Sequence, residues 1–158
     1  EEDLRYHLDA LRLTRRALDG RVPLIGFAGA PWTLFAYMTE GRGTKSFSIA
    51  KRIVFADPGF AHALLARLAE NVGRFLIAQA AAGAQALQIF DSWAGALAPR
   101  EFREFALPYL ARAAALARTA SVPVLCFAPG AGWALNEIAD ATGCDVLGVD
   151  WHTDAAWA

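Results

Sequence analysis

Little in the 158-residue sequence is chemically conspicuous: two cysteines, one methionine, three histidines, and charged residues at only 20%. Cys126 and Cys144 make one bridge at most, which excludes a disulfide scaffold and makes a reducing compartment the default. Fifteen Lys+Arg against sixteen Asp+Glu leave a formal charge of −1, without an electrostatic footprint for nucleic acid or an anionic membrane. The most apolar stretch, Phe75 to Phe90, is broken by Gln79, Gly83, Gln85 and Gln88. It therefore falls short of the ~20 uninterrupted apolar residues of a membrane span. No signal-peptide pattern opens the chain, and a soluble, cytoplasmic protein is the expectation. The 56% apolar content is enough for one packed core of ordinary size and incompatible with disorder.

Periodicity and punctuation lay out the elements. Leu4, Leu8, Leu11 and Leu18 share one face of a helix predicted from Asp3 to Asp19, which Gly20 stops. Val22 to Phe27 reads as a short buried strand, and Pro31 suits the first position of a helix running to Thr39. Asp57-Pro58 is an N-cap followed by a first-turn proline, opening a helix that runs to Ala81 and stops at Gly83. A strand over Ala86–Phe90 follows, then a helical segment from Pro99 to Arg118 interrupted near Pro108. Pro123–Phe127 is a third strand, Gly132–Ala141 a helix and Asp145–Val149 a fourth strand.

Two joints look alike, Gly83 to Ile89 and Gly143 to Val149: a helix-ending glycine, a small residue, a polar one, then an apolar strand. Strand–helix alternation with strands apolar on both faces argues for a parallel sheet. Four such strands fit either an open doubly wound sheet or part of a closed (β/α)8 barrel. A complete barrel needs at least about 200 residues. The sequence opens on a helix that should follow a strand, and Thr153-Asp154-Ala155-Ala156 resembles a helix start. An interior fragment, a single incomplete barrel segment over residues 1–158, is the expectation.

Parallel α/β proteins place their sites just beyond the C-terminal ends of the strands. There the sequence offers Ala28 to Thr33, with Tyr37 one helical turn on, then Asp91-Ser92-Trp93, Ala128-Pro129-Gly130 and Asp150-Trp151-His152. The aromatic content and few formal charges suit a sizeable organic ligand, and the helix opening at Pro31 offers unpaired N–H groups to a carboxylate or phosphate. Packing explains the same residues: a tyrosine on an apolar helix is commonly core, Asp91-Ser92 can cap a turn, and the tryptophans can be filler. The loop Gly41-Arg42-Gly43-Thr44-Lys45-Ser46 fails as a P-loop, lacking a glycine before Lys45 and following a helix. His7, His62, His152 and the two cysteines lack the close spacing of metal ligands, and neither a G-x-S-x-G elbow nor a Cys/His pair in a recognisable setting is present.

Three long stretches resemble the uroporphyrinogen decarboxylase family: Pro23 to Leu34, Tyr37 to Gly41, and Ala82 to Ser92. Arg103 to Tyr109 and Gly143 to Thr153 continue it in order over nearly the whole sequence, which would be somewhat under half of such an enzyme. The resemblance implies a distorted (β/α)8 barrel, usually a homodimer, that decarboxylates the four acetate side chains of uroporphyrinogen to give coproporphyrinogen without metal or organic cofactor. It assigns Tyr37 to a position near the reacting acetate and Ser92 to a hydrogen bond with a substrate carboxylate. Phe27 and Phe90 become lining of the cavity. The family's aspartate, arginines and histidine have no counterpart among the matched positions, so these residues alone are expected to be inactive. Pro129 stands where relatives commonly have Lys, a departure in the third rim loop.

Two other readings remain at this stage. A corrinoid-dependent methyltransferase relative would need a zinc-bound thiolate with a His two positions before the Cys, where this sequence has Val124 before Cys126. A stand-alone half-barrel would be a binding or assembly module whose two sheet edges a partner covers.

Overall fold

The computed structural model describes residues 4–41, 44 and 46–154. Arg42, Gly43 and Lys45 of the P-loop-like segment, and Ala155-Ala156 of the expected last helix start, lie outside the described residues. Four strands, β1 (Ile25–Gly29), β2 (Ala86–Phe90), β3 (Val124–Phe127) and β4 (Val146–Gly148), form one parallel sheet in the order β1-β2-β3-β4. A doubly wound sheet reverses its strand order at a switch point. Sequential order, with burial alternating along β1, β2 and β3, instead describes four neighbouring βα units of a (β/α)8 barrel.

Between the strands run α2 (Pro31–Glu40), α3 (Ser48–Ala56) and α4 (Pro58–Ala81), then α5 (Pro99–Glu101) and α6 (Leu107–Arg118), then α7 (Leu135–Thr142); α1 (Arg5–Leu18) precedes them. Helix α4 has the bounds its punctuation predicts, and the Asp57 carboxylate accepts from the Phe60 N–H at 2.9 Å. Between α5 and α6 the backbone takes a π turn over Phe102–Ala106, where the Leu107 N–H reaches Phe102 O. Pro108 causes it, having no N–H and a ring that excludes the carbonyl four residues back. No described helix is long and apolar enough to cross a membrane.

Two expectations need correction. The strands are not buried on both faces: Leu87, Ile89, Val124 and Cys126 point into the helix layer and are buried, whereas Phe27 is 58% exposed. The opposite face stays open because no described element covers it. The first strand also starts later than Val22, because Pro23 cannot donate to the ladder and Val22 remains exposed. The sequence reading had no helix at Ser48–Ala56 either; no side chain at its start caps it, and its Ile49 and Ala50 N–H groups instead donate to the Glu40 carboxylate at 2.7 and 3.1 Å.

The polar residue inside apolar α4 has a defined task. Gln79, 1% exposed, receives the Phe27 N–H on Oε1 at 3.0 Å and donates Nε2 to Phe27 O at 2.9 Å. Gly26 makes room, since a Cβ there would lie 2.8 Å from Gln79 Oε1. Gln79→Leu keeps the side chain's bulk but strands two backbone groups, and is expected to destabilise the chain by about 1–3 kcal/mol. Urea unfolding followed by circular dichroism checks this; an unchanged midpoint would show that the clamp contributes nothing.

Candidate functional site

The open face of the sheet is ordered in rows by strand register. Phe27 pairs with Gln88, and Gln88 with Leu125; beyond them Phe90 pairs with Phe127, which pairs with Gly148. Alternate residues of a strand share a face, so Phe27, Phe90 and Phe127 all stand on the open side. They form a continuous aromatic wall, with Phe27–Phe90 centroids at 5.8 Å and Phe90–Phe127 centroids at 6.2 Å, both edge to face. Phe127 escaped the sequence reading of the site, although its register with Phe90 follows once the strands are aligned.

Above this wall lies the rim. Tyr37, 43% exposed, sets its ring edge to face with Trp93 at 6.2 Å, and Ser92 is exposed beside that tryptophan in the chain. The structure thus brings Tyr37 to the β2 loop that carries Ser92, with Phe27 and Phe90 on the sheet face below. Among the described residues neither the Tyr37 nor the Ser92 hydroxyl has a hydrogen-bond partner. A groove of about 350 Å³ runs on from Ser92 and Trp93 past Phe47, Gly130, Asp150 and Trp151.

Both aspartates of the rim are structural in this geometry. Asp91 is 1% exposed, accepts from the Thr33 hydroxyl at 2.8 Å, and sends its N–H to Phe127 O at 2.8 Å. Thr33 in turn accepts from the Trp93 N–H at 3.3 Å, and Trp32 Nε1 donates to Trp93 O at 3.0 Å. The β1 and β2 loops are therefore one hydrogen-bonded unit. This differs from the turn cap that spacing alone allowed, because the Asp91 side chain reaches across to the first rim loop. Its second oxygen, Oδ2, is buried without a partner, and burial pushes the carboxyl up to about 6, against the smaller opposing effect of the Thr33 hydrogen bonds. Asp150 accepts from the Gly130 N–H at 2.6 Å, the His152 N–H at 3.0 Å and the Thr153 hydroxyl at 3.1 Å, and these hydrogen bonds hold its carboxyl below the usual range. Gly95 and Gly130 press the second and third loops together; a Cβ on Gly95 would sit 2.8 Å from the Gly130 Cα.

Among the described residues no three His, Cys, Asp or Glu side chains gather as metal ligands. Val124, which the methyltransferase reading needs as histidine, is buried under the helices, and the Cys126 sulfur faces Cys144.

The architecture defines the class: consecutive units of a (β/α)8 barrel, with an aromatic interior wall and its polar groups on the C-terminal rim. The model of the uroporphyrinogen decarboxylase (URO-D) family matches residues 1–158, and the chain belongs to that family. It is 48% identical over 160 residues to a uroporphyrinogen decarboxylase of Chlorobium limicola, covering all of this chain and 45% of that protein. The corresponding enzyme of Nitrosococcus oceani is 52% identical over 162 residues, again 100% of this chain and 45% of the relative. That of Idiomarina loihiensis is 51% identical over 158 residues, 98% of this chain and 44% of the relative. The chain spans about 45% of the length of these relatives.

The buried carboxyl makes stability depend on pH. Asp91 ordinarily titrates near 3.8 and in the folded chain near 6. The native state therefore holds the proton longer than the unfolded one, and stability falls as pH rises from about 4 to about 6. This contribution amounts to about 3 kcal/mol at most. Asp91→Asn is expected to remove that component, so the variant gains on the parent between pH 4.5 and pH 7 in paired urea titrations; equal slopes would contradict it.

Proposed function

We propose that this segment supplies one wall and part of the rim of the active site of a uroporphyrinogen decarboxylase. The reaction would release carbon dioxide from the four acetate side chains of uroporphyrinogen and yield coproporphyrinogen. One observation carries the reading: the edge-to-face aromatic wall Phe27–Phe90–Phe127 lies beneath two hydroxyls, Tyr37 and Ser92, that have no partner among the described residues. An apolar floor with polar groups at its margin suits a flexible macrocycle of four pyrrole rings whose periphery is carboxylate.

In this reading Phe27 and Phe90 support the tetrapyrrole, Tyr37 stands by the reacting acetate, and Ser92 donates to a substrate carboxylate. Protonation of a pyrrole ring makes that ring the electron sink as the carboxylate leaves. The chemistry then needs neither metal nor organic cofactor, and the protein contributes placement and electrostatic stabilisation of a cationic ring. Residues 1–158 form one incomplete barrel segment, and the acidic, basic and imidazole groups that complete the site come from the rest of the barrel. The complete enzyme is a cytoplasmic homodimer, and the 158 residues alone do not turn over substrate.

Variants of the complete enzyme test the assignment. Tyr37→Phe is expected to lower kcat with the fold intact, and Ser92→Ala to raise KM, since a hydrogen bond to a charged group contributes about 1.5–3 kcal/mol. Parental turnover of uroporphyrinogen by both variants would remove these residues from the site. If the isolated chain instead forms a monodisperse, cooperatively melting dimer, the half-barrel assembly module becomes the better description.

A further inference from the structure

The only two cysteines of the sequence, Cys126 and Cys144, are 18 positions apart and meet in space. Cys126 lies on β3 on its helix-facing side, 1% exposed, and Cys144 is half-buried in the approach to β4. Their sulfurs are 2.7 Å apart and unbonded, about 0.7 Å beyond the length of a disulfide. No catalytic role of the barrel uses them: Cys126 points into the helix layer, away from the aromatic wall.

We propose that Cys126 and Cys144 are an oxidisable dithiol that a hydroperoxide converts reversibly into a disulfide joining β3 to the segment that leads into β4. Cys144 is the attacking sulfur, for it is the more accessible of the two. A Cβ on Gly143, next to Cys144 in the chain, would lie 2.7 Å from Arg118 Nη1, so a guanidinium packs on the backbone just before Cys144. The Cys126 thiol donating toward Cys144 lowers the latter's pKa to about 7, with smaller help from Thr142 and Arg118 against burial and Asp145. The same contact, with burial, pushes Cys126 up and keeps it protonated.

The chemistry balances in two steps. The Cys144 thiolate attacks the peroxide O–O bond, forming an S–O bond and expelling hydroxide, which leaves a sulfenic acid. The Cys126 sulfur then attacks Cys144, the S–O bond breaks, and water leaves with the Cys126 proton. Two electrons pass from the sulfurs to the peroxide, and a dithiol reductant returns them. A pair of this kind in a protein of a reducing compartment fits transient redox chemistry better than a permanent staple.

The test treats the reduced, folded chain with hydrogen peroxide, then alkylates it in denaturant and maps the peptides by mass. Loss of both alkylatable thiols, appearance of a Cys126–Cys144 linked peptide within one chain, and recovery of both thiols with dithiothreitol are expected. Peroxide-treated protein that keeps two alkylatable thiols, carries sulfinic acid at Cys144, or links between chains overturns the proposal. In Cys126→Ser a dimedone adduct is expected on Cys144, and in Cys144→Ser none on Cys126. The reverse pattern would refute the assigned order of attack. Neither readout involves decarboxylation, so the outcome is independent of the function proposed above.

Discussion

A parallel strand sends alternate side chains to opposite faces, and the site rests on the helices covering one face of this sheet and leaving the other. Leu87, Ile89, Val124 and Cys126 lock the strands to the helix layer, which includes Leu65, Leu76 and Leu110. The intervening positions are thereby free to carry Phe27, Phe90 and Phe127. A slip of one residue in any strand would exchange the two sets, placing aromatic rings in a layer sized for smaller side chains. Core and aromatic wall are thus specified by the same register.

The rim depends on the same frame through hydrogen bonds. The Asp91 N–H continues the ladder to Phe127 O, while its side chain ties the β2 loop to Thr33. Burying a carboxylate with one oxygen unpartnered is unfavourable, and the rise of its pKa expresses that penalty. The return is positional: Trp93 is held from both sides by Thr33 and Trp32, and it is the ring on which Tyr37 leans. Asp150 does the equivalent for the third and fourth loops through Gly130. The rim is in this way built of loops that are themselves fastened to one another.

How much of this the sequence disclosed depends on whether the determining interaction was local. Helix α4 and strand β2 were legible to the residue, because Asp57-Pro58 and Gly83 are signals within a turn of the boundary they set. Helix α3 was not, since its start is held by Glu40 from the end of the preceding helix. Strand β1 was displaced in the reading because apolar character began at Val22 while ladder hydrogen bonding could not. Strand ends and family resemblance together pointed to Tyr37 and Ser92 as candidates, yet Phe127 was passed over although it lies on an identified strand, for want of the register. The Thr33–Asp91 bond and the cysteine pair join residues far apart in the chain, and no periodicity announces either.

The Gln79 clamp also bears on how the molecule meets other chains. The Gln85 N–H bonds Leu24 O, and the Ala30 N–H bonds Phe90 O, so even-numbered positions of β1 face β2 and odd ones face outward. Of the outward positions Ile25, Phe27 and Gly29, the middle one has both its donor and its acceptor taken by a side chain. An intruding strand would find the hydrogen-bonding pattern interrupted at its centre and would have to evict a buried amide to continue. Exposed strand edges template aggregation when their polar groups form an unbroken row. One glutamine reaching back from a helix breaks that row at Phe27.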